Sequence, residues 1–245
     1  GKVWRVGFLA LRDRPDSLDS DYFGAFPRAM RELGYTEGKN LVIEWRYANG
    51  KAERLPSLAT ELVRLKMDVI VAGDTPAARA AQNATATLPI VMGSAGDPVG
   101  SGLIKSLAHP GGNITGLTNV SGDLSPKHLE MLLSMVPKLS RVTVLVNPAN
   151  PAHTATVKSV QNAAREAGVR TLLAEAQSSH EIERAFAMTA RDRAGALIVQ
   201  PDAFFIQQRR LIGDLAAKHR LPFIGQIREF AEAGGLMSYG SNITD

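Results

Sequence analysis

Short apolar runs bounded by Gly, Pro and Asp recur along this chain, and segments with apolar residues three and four apart fill the intervals. In the first half, Val3 to Leu9, Leu41 to Tyr47, Val69 to Ala72, Ile90 to Gly93 and Ile114 to Leu117 predict strands. Tyr22 to Leu33, Leu55 to Leu65 and Pro76 to Ala84 predict helices between them. The second half repeats the alternation, opening with a helix over Ser125 to Val136, where Leu129, Leu132, Leu133 and Val136 share a face. Strands are expected at Val142 to Val146, Thr171 to Ala174, Ala196 to Val199 and Phe223 to Gly225, and helices at Ala155 to Ala167, His180 to Ala190 and Ile206 to His219. Gly34 and Gly168 stand where left-handed helix ends would. The halves align in order: Val6 with Val144, Gly34 with Gly168, Val69 with Leu197, and Leu88-Pro89 with Leu221-Pro222.

Continuously apolar strands alternating with helices indicate parallel sheets covered on both faces. The expected fold is therefore α/β, with two Rossmann-like lobes. Residues 1–119, joined by a return of 238–245, make the first lobe and residues 120–237 the second, with a ligand cleft and hinge between them.

Composition narrows the class. In 245 residues, 44% hydrophobic and 21% charged, there is enough apolar material for real cores, which excludes a disordered chain. Zero cysteines exclude disulfides, thiolate zinc sites and cysteine nucleophiles. The 28 basic and 24 acidic residues are interspersed, as in Arg28, Arg31 and Glu32, and no basic block forms, so nucleic acid is not an expected partner. The uncharged stretch Ala80 to Gly96 carries Gln82, Asn83 and Pro89, so no segment reads as a bilayer span, and no direct membrane insertion is expected.

In open parallel sheets ligands sit beyond the carboxyl ends of the strands. After the third strand comes Gly73-Asp74-Thr75-Pro76-Ala77, a capping side chain followed by Pro in the first helical turn, a start that suits a carboxylate. After the fourth comes Gly93-Ser94-Ala95-Gly96-Asp97-Pro98, whose glycines allow close backbone approach. The second half offers Asn147-Pro148-Ala149-Asn150, then Gln200-Pro201-Asp202-Ala203-Phe204-Phe205, then Gln226-Ile227-Arg228-Glu229. Asp97 and Asp202 are expected to face a small zwitterion from opposite lobes, with Phe204, Phe205 and Tyr239 as aromatic walls or core. Catalytic signatures are absent: the five His have no metal spacing and read as surface residues, no nucleophile elbow occurs, and the Gly100-x-Gly102 and Gly34 to Asn40 segments miss the dinucleotide and P-loop patterns. No cofactor and no metal is expected, and the chain is not read as an enzyme.

The sequence resembles the bacterial ABC-transporter substrate-binding proteins of the tryptophan/tyrosine type. The resemblance rests on Ala29 to Tyr35, Gly38-Lys39-Asn40, Asp68 to Ala72, Asp97 to Leu103, Pro110 to Gly116, Lys127 to Leu132, Val146-Asn147-Pro148 and Leu236 to Gly240. It implies a type I periplasmic-binding-protein architecture and an extracytoplasmic receptor that closes on a small solute by a hinge and delivers it to a membrane permease. It also implies cleft residues at Thr75, Pro76, Ser94, Ala95, Asp97, Asn147, Asn150, Asp202, Gln226 and Glu229, to which the strand-end reading adds Phe204 and Tyr239 as expected ligand contacts. Family members carry a further helix and return strand after the Tyr-Gly segment, so an end at Asp245 is expected to truncate the return to the first lobe. The solute expected from the capped helix starts is an amino acid or aromatic acid. The alternatives are an isomerase or hydrolase on two lobes, or the sensor core of a transcription regulator.

Overall fold

A computed structural model describes residues 1–19, 21–119 and 121–240, without the side chains of 121–123. The chain divides into two compact units, Gly1–Thr118 and a second that opens at Asn119. The first contains β1 (Trp4–Ala10), α1 (Ala25–Glu32), β2 (Leu41–Tyr47), α2 (Leu55–Arg64), β3 (Val69–Ala72), α3 (Thr75–Ala84), β4 (Ile90–Gly96) and β5 (Ile114–Asn119), whose last residue opens the second unit. The second contains α4 (Ser121–Met135), β6 (Arg141–Val146), α5 (His153–Glu166), β7 (Arg170–Glu175), α6 (Ser179–Arg191), β8 (Ala196–Val199), α7 (Ala203–Gln207), α8 (Arg209–His219), β9 (Phe223–Gly225), α9 (Arg228–Glu232) and β10 (Met237–Ser238).

Each unit has a five-stranded sheet, in the order β2-β1-β3-β4-β5 in the first and β10-β9-β8-β6-β7 in the second. Counted from the start of each unit, the two orders are the same. In β1, Val6, Phe8 and Ala10 pack on the face shared with Phe23, Ile43 and Val71, while Leu9 joins Leu55, Leu62 and Ala81 beneath α2 and α3. In β6, Val142, Val144 and Val146 meet Leu129, Leu132 and Val160 of α4 and α5, and Leu145 meets Ile182, Phe186 and Ile212 of α6 and α8. Period-two alternation thus buries both faces, as helices on either side of a parallel sheet require. Complete burial of a Leu such as Leu62 contributes about 1.5–3 kcal/mol. Gly34 and Gly168 do end α1 and α5, with φ of 87° and 70°.

Several expectations are corrected. The pairings Ile70↔Ile90 and Leu197↔Phe223 make Ile70, not Val69, the counterpart of Leu197, and the pairings of Gly7 with Ile70 and Thr143 with Leu197 then match Val6 to Val142. The element repeat stands, but runs of like apolar residues do not by themselves fix a shift of one or two. The single helix expected over Ile206 to His219 starts at Ala203 and divides at Gln208. Residues 238–240, expected to return to the first lobe, stay with the second sheet, where Ser238 pairs with Gly225 and the Tyr239 N–H donates to Gly225 O; 241–245 lie outside the described residues.

Candidate functional site

In the first unit the strand ends converge on Asp74. Its Oδ1 accepts from Ala77 N at 2.9 Å and so caps α3, while Oδ2 accepts from Leu11 N at 2.7 Å, fastening the helix to the end of β1. Thr75 Oγ1 accepts from Gly96 N at 2.9 Å, which ties the same helix start to β4. Thr75, Pro76 and Ala95 are buried, so these three expected ligand residues frame the edge. Ser94 is half-buried on β4. Asp97 turns the chain: at φ 38° its Oδ1 accepts from Gly100 N at 2.8 Å.

A residue that strand-end reading missed stands directly after Leu11. Arg12 is only 7% exposed; it donates to Asp21 Oδ2 at 2.7 Å, and its guanidinium lies 5.2 Å from the ring centroids of Tyr22 and Phe23. Burial opposes its charge, but Tyr22 and Asp21 outweigh that and raise its pKa. Burial also pushes the Tyr22 hydroxyl up to about 12 against the pull of Arg12. The signal was an Arg standing directly at the end of the first apolar run.

In the second unit the hub is Asp202. Its Oδ1 accepts from Asn147 Nδ2 at 3.2 Å and from Phe204 N at 2.9 Å, and Oδ2 accepts from Asn150 Nδ2 at 2.8 Å. Asn147 Oδ1 accepts from Ala149 N at 3.0 Å, and Asn150 Oδ1 accepts from Ala152 N at 3.1 Å. His153 is 4% exposed; its Nδ1 accepts from Asn147 N at 2.9 Å, so Nε2 carries the proton and donates to Pro201 O at 3.0 Å. The structure gathers Asn147, Asn150 and Asp202, three of the expected ligand residues, and the Asp202 carboxylate faces these amides and the start of α7. Phe204 packs in the core beneath α6 and α8, Glu229 is half-buried in α9, and Tyr239 is exposed.

Beside this hub lies a second polar group. Ser125 Oγ donates to Gln200 Oε1 at 3.2 Å, and His128 Nε2 donates to Tyr239 O at 2.6 Å. Gln200 and His128 are 0% and 1% exposed, and Gln226 is buried with them. Burial lowers the pKa of His128 more than its bond to Tyr239 raises it. The expectation of surface histidines fails at His128 and His153, because each imidazole finds backbone partners inside the lobe. An open groove of about 620 Å³ lies elsewhere on this unit, beside edge strand β7, lined by Pro148, Glu181, Arg184 and Met188 among others, with none of the amide cluster in its wall.

The model of the ABC transporter substrate binding protein family matches residues 14–245. The chain belongs to that family. A tyrosine-binding protein of Clostridioides difficile strain R20291 is 30% identical to it over 240 residues, covering 98% of this chain and 68% of the relative. Among solved structures, a conserved domain protein from Vibrio cholerae O1 biovar El Tor superposes with a TM-score of 0.86 at 26% identity, over 96% of this chain and 77% of the other. An ABC domain from Streptococcus pneumoniae in complex with L-Trp gives a TM-score of 0.87 at 22% identity, over 100% and 81%. That last likeness bears on the fold, which is the two-lobed type I periplasmic-binding-protein fold. The protein is a solute-binding component for ABC transport. Among the described residues, no helix is long and apolar enough to cross a membrane.

Proposed function

We propose that this chain captures a small carboxylate-bearing aromatic solute, an amino acid of the tyrosine type, outside the cytoplasm. It delivers that solute unaltered to the membrane permease of an ABC importer. The observation that carries this reading is the 30% identity along 98% of the chain to a tyrosine-binding protein. The strand-end geometry supports it from each lobe separately. The first lobe offers Thr75 and Pro76 at the start of α3 and Ser94, Ala95 and Asp97 at the end of β4. The second offers Asn147, Asn150, Gln226, Glu229 and Tyr239, with Asp202 and Phe204 holding the edge from behind.

Thermal-shift titration of the purified protein tests the reading, with native mass spectrometry to detect a carried-over solute. An aromatic amino acid at 100 times its Kd should stabilise the fold by about 2.7 kcal/mol. A panel in which sugars shift the melting temperature and no aromatic carboxylate does would sink it.

A further inference from the structure

The end of the second sheet carries a buried polar layer with unmatched hydrogen-bonding capacity. The pairings Ile198↔Ile224 and Ile224↔Met237 set the register of β8, β9 and β10. Continued by two residues, it places Gln200 beside Gln226 and Gln226 beside Tyr239, on the face where Ile198 and Ile224 pack against Leu129 and Leu132 of α4. One helical turn apart on α4, Ser125 reaches Gln200 and His128 reaches the Tyr239 carbonyl. An apolar layer is thus topped by a polar one. Gly240 packs against Gln226 alone, since a Cβ there would collide with Gln226 Cγ and the Gln226 carbonyl oxygen.

Three atoms in this layer are buried and have no partner among the described residues: Gln200 Nε2, Gln226 Nε2 and His128 Nδ1. Buried polar groups in native proteins are nearly always paired, so three at one end of one sheet face call for a cause. Their chemistry is specific. The glutamine nitrogens are donors. A carbonyl oxygen accepts the His128 Nε2–H, so Nδ1 holds a lone pair and accepts. Burial, by lowering the His128 pKa, keeps the ring in that neutral form. A carboxylate has acceptors only, and a phenyl ring has neither a conventional donor nor an acceptor. A hydroxyl has both, and it satisfies the set by accepting from a glutamine amide while donating to Nδ1.

We propose that Gln200, Gln226 and His128 form the subsite that recognises a hydroxyl group of the solute, and that they select a phenol over its unhydroxylated analogue. This rests on the aromatic amino acid reading above. It adds specificity to that reading: a site whose buried polar groups are left unpaired by the wrong ligand rejects it far more strongly than an apolar pocket rejects a missing methylene.

The test is calorimetric titration of L-tyrosine and L-phenylalanine into the parent protein and into Gln200→Met and Gln226→Met, with melting temperatures of the ligand-free proteins. The parent should bind L-tyrosine at least tenfold more tightly than L-phenylalanine, a comparison that needs no variant to fold. Each variant should reduce that preference by about tenfold. The ligand-free melting temperature of Gln226→Met should be equal to or above the parent's, because an unmatched buried donor has been replaced by an apolar chain of similar volume, whereas Gln200→Met also removes the acceptor of Ser125 Oγ and should melt slightly lower. Equal affinity of the parent for the two amino acids overturns the hydroxyl subsite and leaves the aromatic amino acid reading standing. Variants that melt several degrees lower and keep the preference make the amides structural, which also overturns it. Binding of neither amino acid overturns the solute reading and the subsite together.

Discussion

At the scale of single residues, Asp202 shows how one carboxylate can look like a ligand contact and act as a fastening. Its two oxygens accept three hydrogen bonds, and Asn147 and Asn150 are held by them. Substitution by Asn keeps an oxygen for one side only and turns an amide towards a donor on the other. Asp202→Asn should therefore cost about 1–2 kcal/mol, and Asp202→Ala about 3 kcal/mol, since Ala also removes the cap of α7 and leaves two buried amides unpaired. Urea unfolding of the three proteins measures this. An Asn variant as stable as the parent would reduce Asp202 to a plain cap.

At the scale of elements, α4 is latched to the segment after β10 through His128 and the Tyr239 carbonyl. The folded protein binds a proton at His128 less readily than the unfolded chain, whose imidazole has the ordinary value of 6.5. Stability from this group is then complete above about pH 6.5 and declines as the pH falls below it, because the unfolded state takes up more protons. His128→Gln keeps a donor for the carbonyl and does not titrate. The unfolding free energy of the parent minus that of this variant should decrease between pH 7.5 and pH 5; a difference that stays constant would show that His128 does not carry the effect.

At the scale of the whole molecule, the two lobes share more than strand order. Asp74 follows β3 and fastens α3 to Leu11 at the end of β1; Asp202 follows β8 and fastens α7 to Asn147 at the end of β6. Asp97 was the partner expected for Asp202, but Asp74 occupies the equivalent place, capping the helix after its strand and binding the first strand's end through a backbone N–H where Asp202 uses side-chain amides. Asp74→Ala should consequently cost about 2–4 kcal/mol, close to Asp202→Ala, by loss of a cap and exposure of a buried N–H to no acceptor. Asp97→Asn should change stability by less than about 0.5 kcal/mol, because Asn tolerates positive φ and accepts from Gly100 N equally well. Chemical denaturation of the three variants compares them directly, and a costly Asp97→Asn would restore Asp97 as the counterpart.

The strand-helix alternation, the two lobes, the glycine helix ends at Gly34 and Gly168 and the strand-end positions of the polar residues were all legible in the sequence, because each follows from local periodicity or from one residue's backbone freedom. So was the family, from motifs spread along the chain. Register was not legible, since apolar runs shifted by one or two residues read alike; neither was the division of the last long helix at Gln208. The roles of the polar residues were decided only by tertiary structure. Whether Asp202 points outward or at Asn150, whether His128 faces the surface or the sheet, and whether Gln200 comes beside Gln226 depend on residues between 26 and 111 positions apart meeting at one sheet edge. Hydrogen bonds have a reach of about 3 Å and no signature in composition, so only the packed fold could assign them.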